Sequence, residues 1–240
     1  MRSIKQKKIT RRAFMALAGG AIINIGLPGR FQKVTAAENR ELATQLRPDG
    51  HPRLPPGQHA VKQLAFMGGI KGPGNVPDWR LELYGEVLKP VKFDFNELMK
   101  LEHLRLTCDV HCVTGWSLLD ARWSGVSLDR LMQHVGVTPK AGFVIFEAPG
   151  GYTANIPMAE ARKANVILAH SFEGEPLSLP HGQPLRALVP DLYFWKSTKW
   201  LEKIYFSDKD IPGYYETSGY SNSADPWKEE RFTPDAGSGH

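Results

Sequence analysis

The sequence predicts an α+β domain of many short strands and few short helices, and three observations carry that expectation. The 240 residues, 42% hydrophobic and 23% charged, suffice for one core of ordinary size. Short runs with apolar and polar residues alternating recur along the chain, punctuated by Gly and Pro at close intervals. Few segments carry helical spacing, and those that do are brief.

Taken in order, residues 38–80 form a polar, Pro/Gly-rich approach (Arg47-Pro48-Asp49-Gly50, Leu54-Pro55-Pro56-Gly57-Gln58) that reads as a wrapping arm. Trp79 to Glu86 alternates as a strand, and Val91 to Phe93 pairs back after a turn. Asp94 caps a short helix through Lys100. His103 to Val110 is a strand that ends at His111-Cys112 and enters a loop where Gly115 permits unusual backbone angles. Arg122 to Val126 reads as a short edge. Ser127 caps a helix with Leu128, Leu131, Met132 and Val135 on one face, stopped by Gly136. Phe143–Glu147 and Tyr152–Ile156 are strands around Gly150-Gly151, and Pro157 opens a short helix. Strands at Val166–His170, Leu185–Val189 and Lys199–Phe206 complete the set, with an irregular aromatic segment from Ile211. No repeat or low-complexity tract interrupts the pattern. The main domain is expected over 54–232, preceded by a polar linker (38–53) and followed by a flexible tail (233–240).

Residues 1–37 read as an export signal. Residues 1–36 hold eight basic side chains and no acidic one; without them the formal charge falls from +5 to −3. The basic balance therefore belongs to this segment and gives no reason to invoke nucleic acid. Arg11-Arg12-Ala13-Phe14 followed by a modestly apolar run resembles a twin-arginine signal, with small-residue cleavage sites after Ala36 or Ala37. The run is too short and glycine-rich for a spanning helix, so the mature chain is expected not to span a membrane.

Both cysteines lie in Leu106-Thr107-Cys108-Asp109-Val110-His111-Cys112-Val113-Thr114-Gly115-Trp116-Ser117. Two cysteines exclude a disulfide-rich scaffold and a multi-Cys zinc or iron–sulfur site. On an extended run Cys108 and Cys112 lie roughly 13 Å apart, beyond bridging range. A strand that delivers Cys112 to a turn presents either a nucleophile or a soft-metal ligand, although a buried inert thiol would sit there as well. His111 points to the opposite face and is badly placed as a base. A second group follows His181: Arg186, Lys196 and Lys199 with the hydroxyls of Ser197 and Thr198, folded together by a Pro190-Asp191 turn. Three cations and two hydroxyls interleaved with Trp195 and Trp200 describe an anion cradle, most naturally for a phosphate, and not a solvated strand face. No nucleotide-binding loop is present.

These residues resemble a known family. His111-Cys112-Val113-Thr114-Gly115-Trp116-Ser117, Trp123-x-Gly125-Val126, His181-Gly182-x-Pro184-Leu185-Arg186 and Lys196-Ser197-x-Lys199-Trp200 look like the molybdenum domain of the sulfite oxidase family. The chain most resembles the short bacterial sulfite oxidase-like oxidoreductases, and more distantly the periplasmic protein-methionine-sulfoxide reductase catalytic subunit. The resemblance implies a mixed-sheet molybdopterin-binding domain in which Cys112 ligates molybdenum. It further implies that His111, His181, Arg186, Lys196, Ser197, Thr198 and Lys199 hold the cofactor, molybdenum with molybdopterin. Expected activity is oxygen-atom transfer with two-electron exchange on a small oxo-substrate. A separate electron partner, a cytochrome or membrane haem subunit, and an exported monomer complete the expectation. The chain leaves no room for the dimerisation or haem domains of sulfite oxidases proper. Methionine-sulfoxide reductase relatives carry Asn at His181 and Thr at Ala148, and close relatives tend to carry His at Ser221.

Overall fold

A computed structural model describes residues 32–66 and 78–233. The export-signal reading falls almost entirely outside them. Two mixed sheets form the molecule. The first contains β1 (His59–Val61), β4 (His103–His111), β5 (Trp116–Ser127), β8 (Ile167–Phe172), β9 (Glu175–Pro176) and β10 (Arg186–Leu188). Its axis is β5: β4 runs antiparallel along one edge, and parallel β1 and antiparallel β8 share the other. The second sheet, ordered β3-β2-β11-β6-β7, comprises β2 (Arg80–Gly85), β3 (Val91–Asp94), β6 (Phe143–Ala148), β7 (Tyr152–Pro157) and β11 (Lys203–Ser207). Parallel β2–β11 pairing makes it mixed as well.

Period-two alternation places the first sheet between two cores. Leu168, Ala187 and Val126 face a core shared with the second sheet, whereas Ile167, Ala169, Leu188 and Trp123 face another that includes Cys112 and Trp116. Strands buried on both faces read as unbroken apolar runs, which is why Val166–Ala169 carries no polar residue. Helix α3 (Leu128–Val135) plugs the shared core with Leu128, Leu131, Met132 and Val135, all nearly inaccessible. Each such side chain contributes roughly 1.5–3 kcal/mol of gross burial. The Ser127 hydroxyl caps its start by accepting from the Arg130 N–H at 3.3 Å, and Gly136 ends it at φ 65°. The short α2 (Phe95–Leu98) begins at Asp94 with a reciprocal Asp94/Glu97 box, and α4 (Met158–Ala161) begins after Pro157.

Three expectations are corrected. Arg122–Val126 is not a short edge but the second half of β5, flanked on both sides. The chain bends between the halves, with a register shift opposite at Cys108/Val110 and Asp120 at φ 54°, which disguises one long strand as two. Leu185–Val189 and Lys199–Phe206 do meet, with Leu201 N–H donating to Leu185 O at 2.9 Å and Ala187 N–H to Thr198 O at 2.8 Å, but they do not pair as two strands turning at Pro190-Asp191. Their extended parts, β10 and β11, belong to different sheets, and a 3-10 turn at Phe194–Lys196 separates them. The arm is also more ordered than expected. Helix α1 (Ala36–Leu42) crosses the expected boundary at 37/38 and is started by a Thr35/Glu38 capping box. Asn39 Oδ1 accepts the Ala60 N–H at 2.7 Å, which ties this helix to the edge of β1.

Candidate active site

Cys112 is fixed by its backbone. Its N–H donates to Trp116 O at 2.8 Å, and its carbonyl accepts from the Gly115 N–H at 3.0 Å. Gly115 holds φ 94°, which a side chain would resist. The carbonyl also accepts from Gln58 Nε2 at 3.1 Å. The sulfur is 7% exposed as part of its residue and lies 3.2 Å from Thr114 Oγ1. Burial pushes the thiol up, with Thr114 and the Arg231 charge opposing. Arg231 itself donates to the Val113 carbonyl. Tyr215 and Tyr220, both pushed up by burial, have Cys112 among the charges acting on them, and their rings meet tilted at 4.9 Å.

His111 lies behind this turn with no exposed surface. Its Nδ1 is 2.8 Å from Ser117 Oγ, and burial pushes the imidazole down to about 4. It offers Cys112 no base, and among the described residues the hydrogen-bond partner of the sulfur is Thr114. A thiol held protonated with no adjacent base suits a nucleophile poorly. A metal would remove that proton outright, so the same environment suits a ligand. Cys108 and Cys112 are both free thiols.

The second group forms around Arg186, which is 2% exposed. Its guanidinium donates to His181 O at 3.1 Å and Ser197 O at 2.8 Å and lies 4.2 Å from the Phe194 ring centroid. Burial pushes Arg186 down to about 9. Lys199 donates to Pro180 O at 3.0 Å and is pushed down to about 7 by burial and then by Arg186. His181, stacked on Phe66, is pushed down to about 4 by burial, Arg186 and Lys199. Among the described residues no carboxylate pairs with Arg186. Gly182, at φ 109°, lets the chain pass close to both cations: a Cβ there would lie 3.1 Å from Lys199 Cβ and 3.2 Å from Arg186 Cβ. Thr198 Oγ1 is buried with no partner, while Ser197 Oγ accepts the Val189 N–H at 2.9 Å. A buried guanidinium without a carboxylate, an ammonium that it depresses and an orphaned hydroxyl fit an anionic group such as a phosphate.

Lys196 is not one of these cations. Its ammonium, with no exposed surface, pairs with Glu216 at 2.6 Å and donates to Asn155 Oδ1 at 2.8 Å. Trp195 Nε1 donates to the same Glu216 oxygen at 2.8 Å. The expected three-cation cradle therefore contains two, with His181 neutral beside them. His111 likewise stands behind Cys112 rather than on an open face. Ala148 ends β6, and Ser221 Oγ sits 3.0 Å from Ser223 Oγ.

Cradle and thiol share one aromatic wall. Arg186 lies 5.4 Å from the Trp123 ring, and Phe194, which it also covers, meets Trp116 edge-on at 6.2 Å. Cys112, Trp116 and Trp123 belong to the same buried cluster. A ligand with sulfur-bound metal at one end and a phosphate at the other fits this pairing of sites. Sequence reasoning missed Ser117, Thr114, Glu216, Trp227 and the two tyrosines. The nearest available signal was the aromatic density of residues 214–227.

A family model described as the oxidoreductase molybdopterin binding domain matches residues 70–215. The oxidoreductase YuiH of Bacillus subtilis is 38% identical over 185 residues, covering 76% of this chain and 93% of that protein. The protein-methionine-sulfoxide reductase catalytic subunit MsrP of Burkholderia mallei is 32% identical over 155 residues, 58% of this chain and 46% of MsrP. Mitochondrial sulfite oxidase of Drosophila melanogaster is 36% identical over 126 residues, 48% of this chain and 22% of that protein. The chain thus spans less than half the length of the last two. The crystal structure of the sulfane dehydrogenase SoxCD from Paracoccus pantotrophus shares the fold, with a TM-score of 0.57 at 21% identity, over 85% of this chain and 59% of that one. With its mixed sheets, its buried Cys112 and its cation cradle, this chain belongs to the molybdopterin-binding oxidoreductase family.

Proposed function

We propose that this protein is a mononuclear molybdenum oxidoreductase that exchanges an oxygen atom and two electrons with a small oxo-substrate, a sulfoxide or a sulfite-like oxyanion. The observation that carries the reading is the placement of a buried, base-free cysteine and a cation cradle on one aromatic wall. Cys112 would supply the protein's sulfur ligand to molybdenum. Arg186, Lys199 and Thr198, with His181 as a neutral neighbour, would hold the phosphate of molybdopterin. Bound there, the cofactor supplies the oxo-transfer and two-electron chemistry.

The protein's own residues bind, orient and exclude water. The Cys112–Gly115 turn fixes the direction of the sulfur, and Thr114 offers it a hydroxyl that becomes a donor once the thiol has lost its proton. Tyr215 and Tyr220 form the nearby aromatic surface, and their phenols, neutral at pH 7 as in any tyrosine, are pushed up further by burial. We place the protein outside the cytoplasm, delivered folded by the twin-arginine-type segment. MsrP-type relatives, by their names reductases of protein methionine sulfoxide, support the sulfoxide side of the substrate class. Two cysteines are too few for a four-thiolate iron–sulfur cluster, so electrons would pass to or from the site through a separate redox protein, a cytochrome or a haem-bearing membrane subunit.

The test is substrate turnover with artificial electron carriers: reduced viologen with dimethyl sulfoxide or methionine sulfoxide, and ferricyanide with sulfite. Wild type should turn over one class and Cys112→Ser neither. Equal turnover by Cys112→Ser would overturn the proposal. A second reading, a cofactor-binding scaffold without turnover, draws on Ala148 and Ser221, where relatives carry side chains of different chemistry. It would show as bound cofactor with no turnover in either direction.

A further inference from the structure

The mechanism above leaves idle three buried polar side chains that stand directly behind Cys112. His111 and Ser117 have no exposed surface and Gln58 is 8% exposed. They form one chain. Ser117 Oγ donates to Gln58 Oε1 at 3.3 Å, and Gln58 Nε2 donates to the Cys112 carbonyl at 3.1 Å. Because the hydroxyl proton is spent on Gln58, Ser117 can only accept from His111, whose Nδ1 lies 2.8 Å away and so carries the hydrogen. Every donor then meets an acceptor in one direction, ending on the backbone of the cysteine. At the far end His111 Nε2 is buried without a hydrogen-bond partner, and Trp227 covers the ring edge-on at 5.2 Å, itself donating to Pro52 O at 2.8 Å with Arg47 over its face at 4.4 Å.

Three separate parts of the chain contribute. Gln58 precedes β1, His111 and Ser117 face each other across β4 and β5, and Trp227 comes from the C-terminal segment. Gln58 and Trp227 both lie outside the residues matched by the family model. The Cys112 carbonyl already accepts from the Gly115 N–H, so the Gln58 bond is a second tie on the same peptide. That tie fixes the peptide plane and with it the direction of the Cα–Cβ bond. We propose that His111, Ser117 and Gln58 are positioning residues that hold the Cys112 turn in its ligating geometry. As a role toward metal ligation, this rests on the molybdenum reading. As a constraint on the turn, it stands without it.

Alkylation of the Cys112 thiol in the full-length apoprotein, made in a host unable to synthesise the cofactor, reads the constraint directly. A sulfur this buried reacts only when the turn opens, and loss of one buried hydrogen bond should raise the open population about tenfold. Ser117→Ala and Gln58→Leu should therefore accelerate Cys112 alkylation about tenfold, and Ser117→Thr, which keeps the hydroxyl, should restore the wild-type rate. Tyr84→Phe is the control. It removes a half-buried bond to Glu147 on the second sheet and should leave the rate unchanged. Cys108 is alkylated separately and assigned by peptide mass. If Gln58→Leu does not fold, the Ser117→Ala and Ser117→Thr pair decides. Wild-type rates in Ser117→Ala, or equal acceleration by Tyr84→Phe, would overturn the proposal. Molybdenum content measured on the same variants made in a competent host separates the two claims. Absence of metal in wild type defeats the molybdenum reading alone, whereas unaltered alkylation with one molybdenum per chain defeats the positioning role alone.

Discussion

Replacing Lys196 by methionine tests the division of labour between the two lysines of the Lys196-Ser197-Thr198-Lys199 run. Methionine approximates the lysine stem, so the change removes charge more than volume. It strands the Glu216 carboxylate, 2% exposed at its side chain, with Trp195 Nε1 as the remaining donor on Oε1, since Oε2 is already without a partner. Breaking a buried pair from one side costs about 3–5 kcal/mol. For a domain of this size each kcal/mol moves Tm by about 2–4 °C, so a fall of roughly 10 °C is expected. The double variant Lys196→Met/Glu216→Gln keeps an acceptor for Trp195 and removes the stranded charge, and should recover at least about half of the loss. Circular dichroism melts at pH 7 measure this, alongside binding of inorganic pyrophosphate to the apoprotein by calorimetry. Lys196→Met should melt early and bind pyrophosphate as wild type does. A melt within about 2 °C of wild type together with lost pyrophosphate binding would refute the reasoning and return Lys196 to the cradle.

Further outcomes follow from the same geometry. Lys199→Met should weaken pyrophosphate binding to the apoprotein about tenfold, by removing a charge-assisted contact. Because the Lys199 ammonium is held down to about 7, wild-type affinity for sulfate, whose charge is constant over the range, should also fall as pH rises from 6 to 8; affinity that rises over that range would contradict it. His170 and His181 are both pushed down to about 4 from 6.5, so the unfolded chain binds their protons first. Stability should accordingly be full above 6.5 and fall as pH drops from 6.5 toward 4, checked by urea midpoints; a midpoint that rises over that interval would contradict it. Leu131→Ala, in the buried stripe of α3, should cost about 2–5 kcal/mol in urea melts.

Much of this was readable beforehand, for identifiable reasons. Local signals act over a few residues, so Ser127 and Gly136 bounded α3 and Asp94 marked the start of α2. Cys112 stood out as a candidate because a strand ending in a turn leaves few uses for a thiol, and Arg186 and Lys199 because cations rarely interleave with tryptophans on a wet surface. Lys196 was misplaced because its partner, Glu216, lies twenty residues on in a segment with no periodicity. The two halves of β5 looked separate because the bend at Asp120 breaks the alternation that identifies a strand. Gln58 and Trp227 come to the His111–Ser117 pair from distant parts of the chain, a closeness that only tertiary packing creates. The helix across Ala36–Leu42 was hidden by the small residues that suggested a cleavage site.

The central claim is that Cys112 and the Arg186–Lys199 cradle hold the two ends of one molybdenum cofactor. Metal analysis by mass spectrometry, with fluorescence of the released pterin, tests it on wild type, Cys112→Ser and an Arg186→Ala/Lys199→Met double variant from a host that makes the cofactor. Wild type should carry about one molybdenum and one pterin per chain, Cys112→Ser should lose metal before pterin, and the cradle variant should lose both. Folded wild-type protein free of molybdenum and pterin would contradict the account.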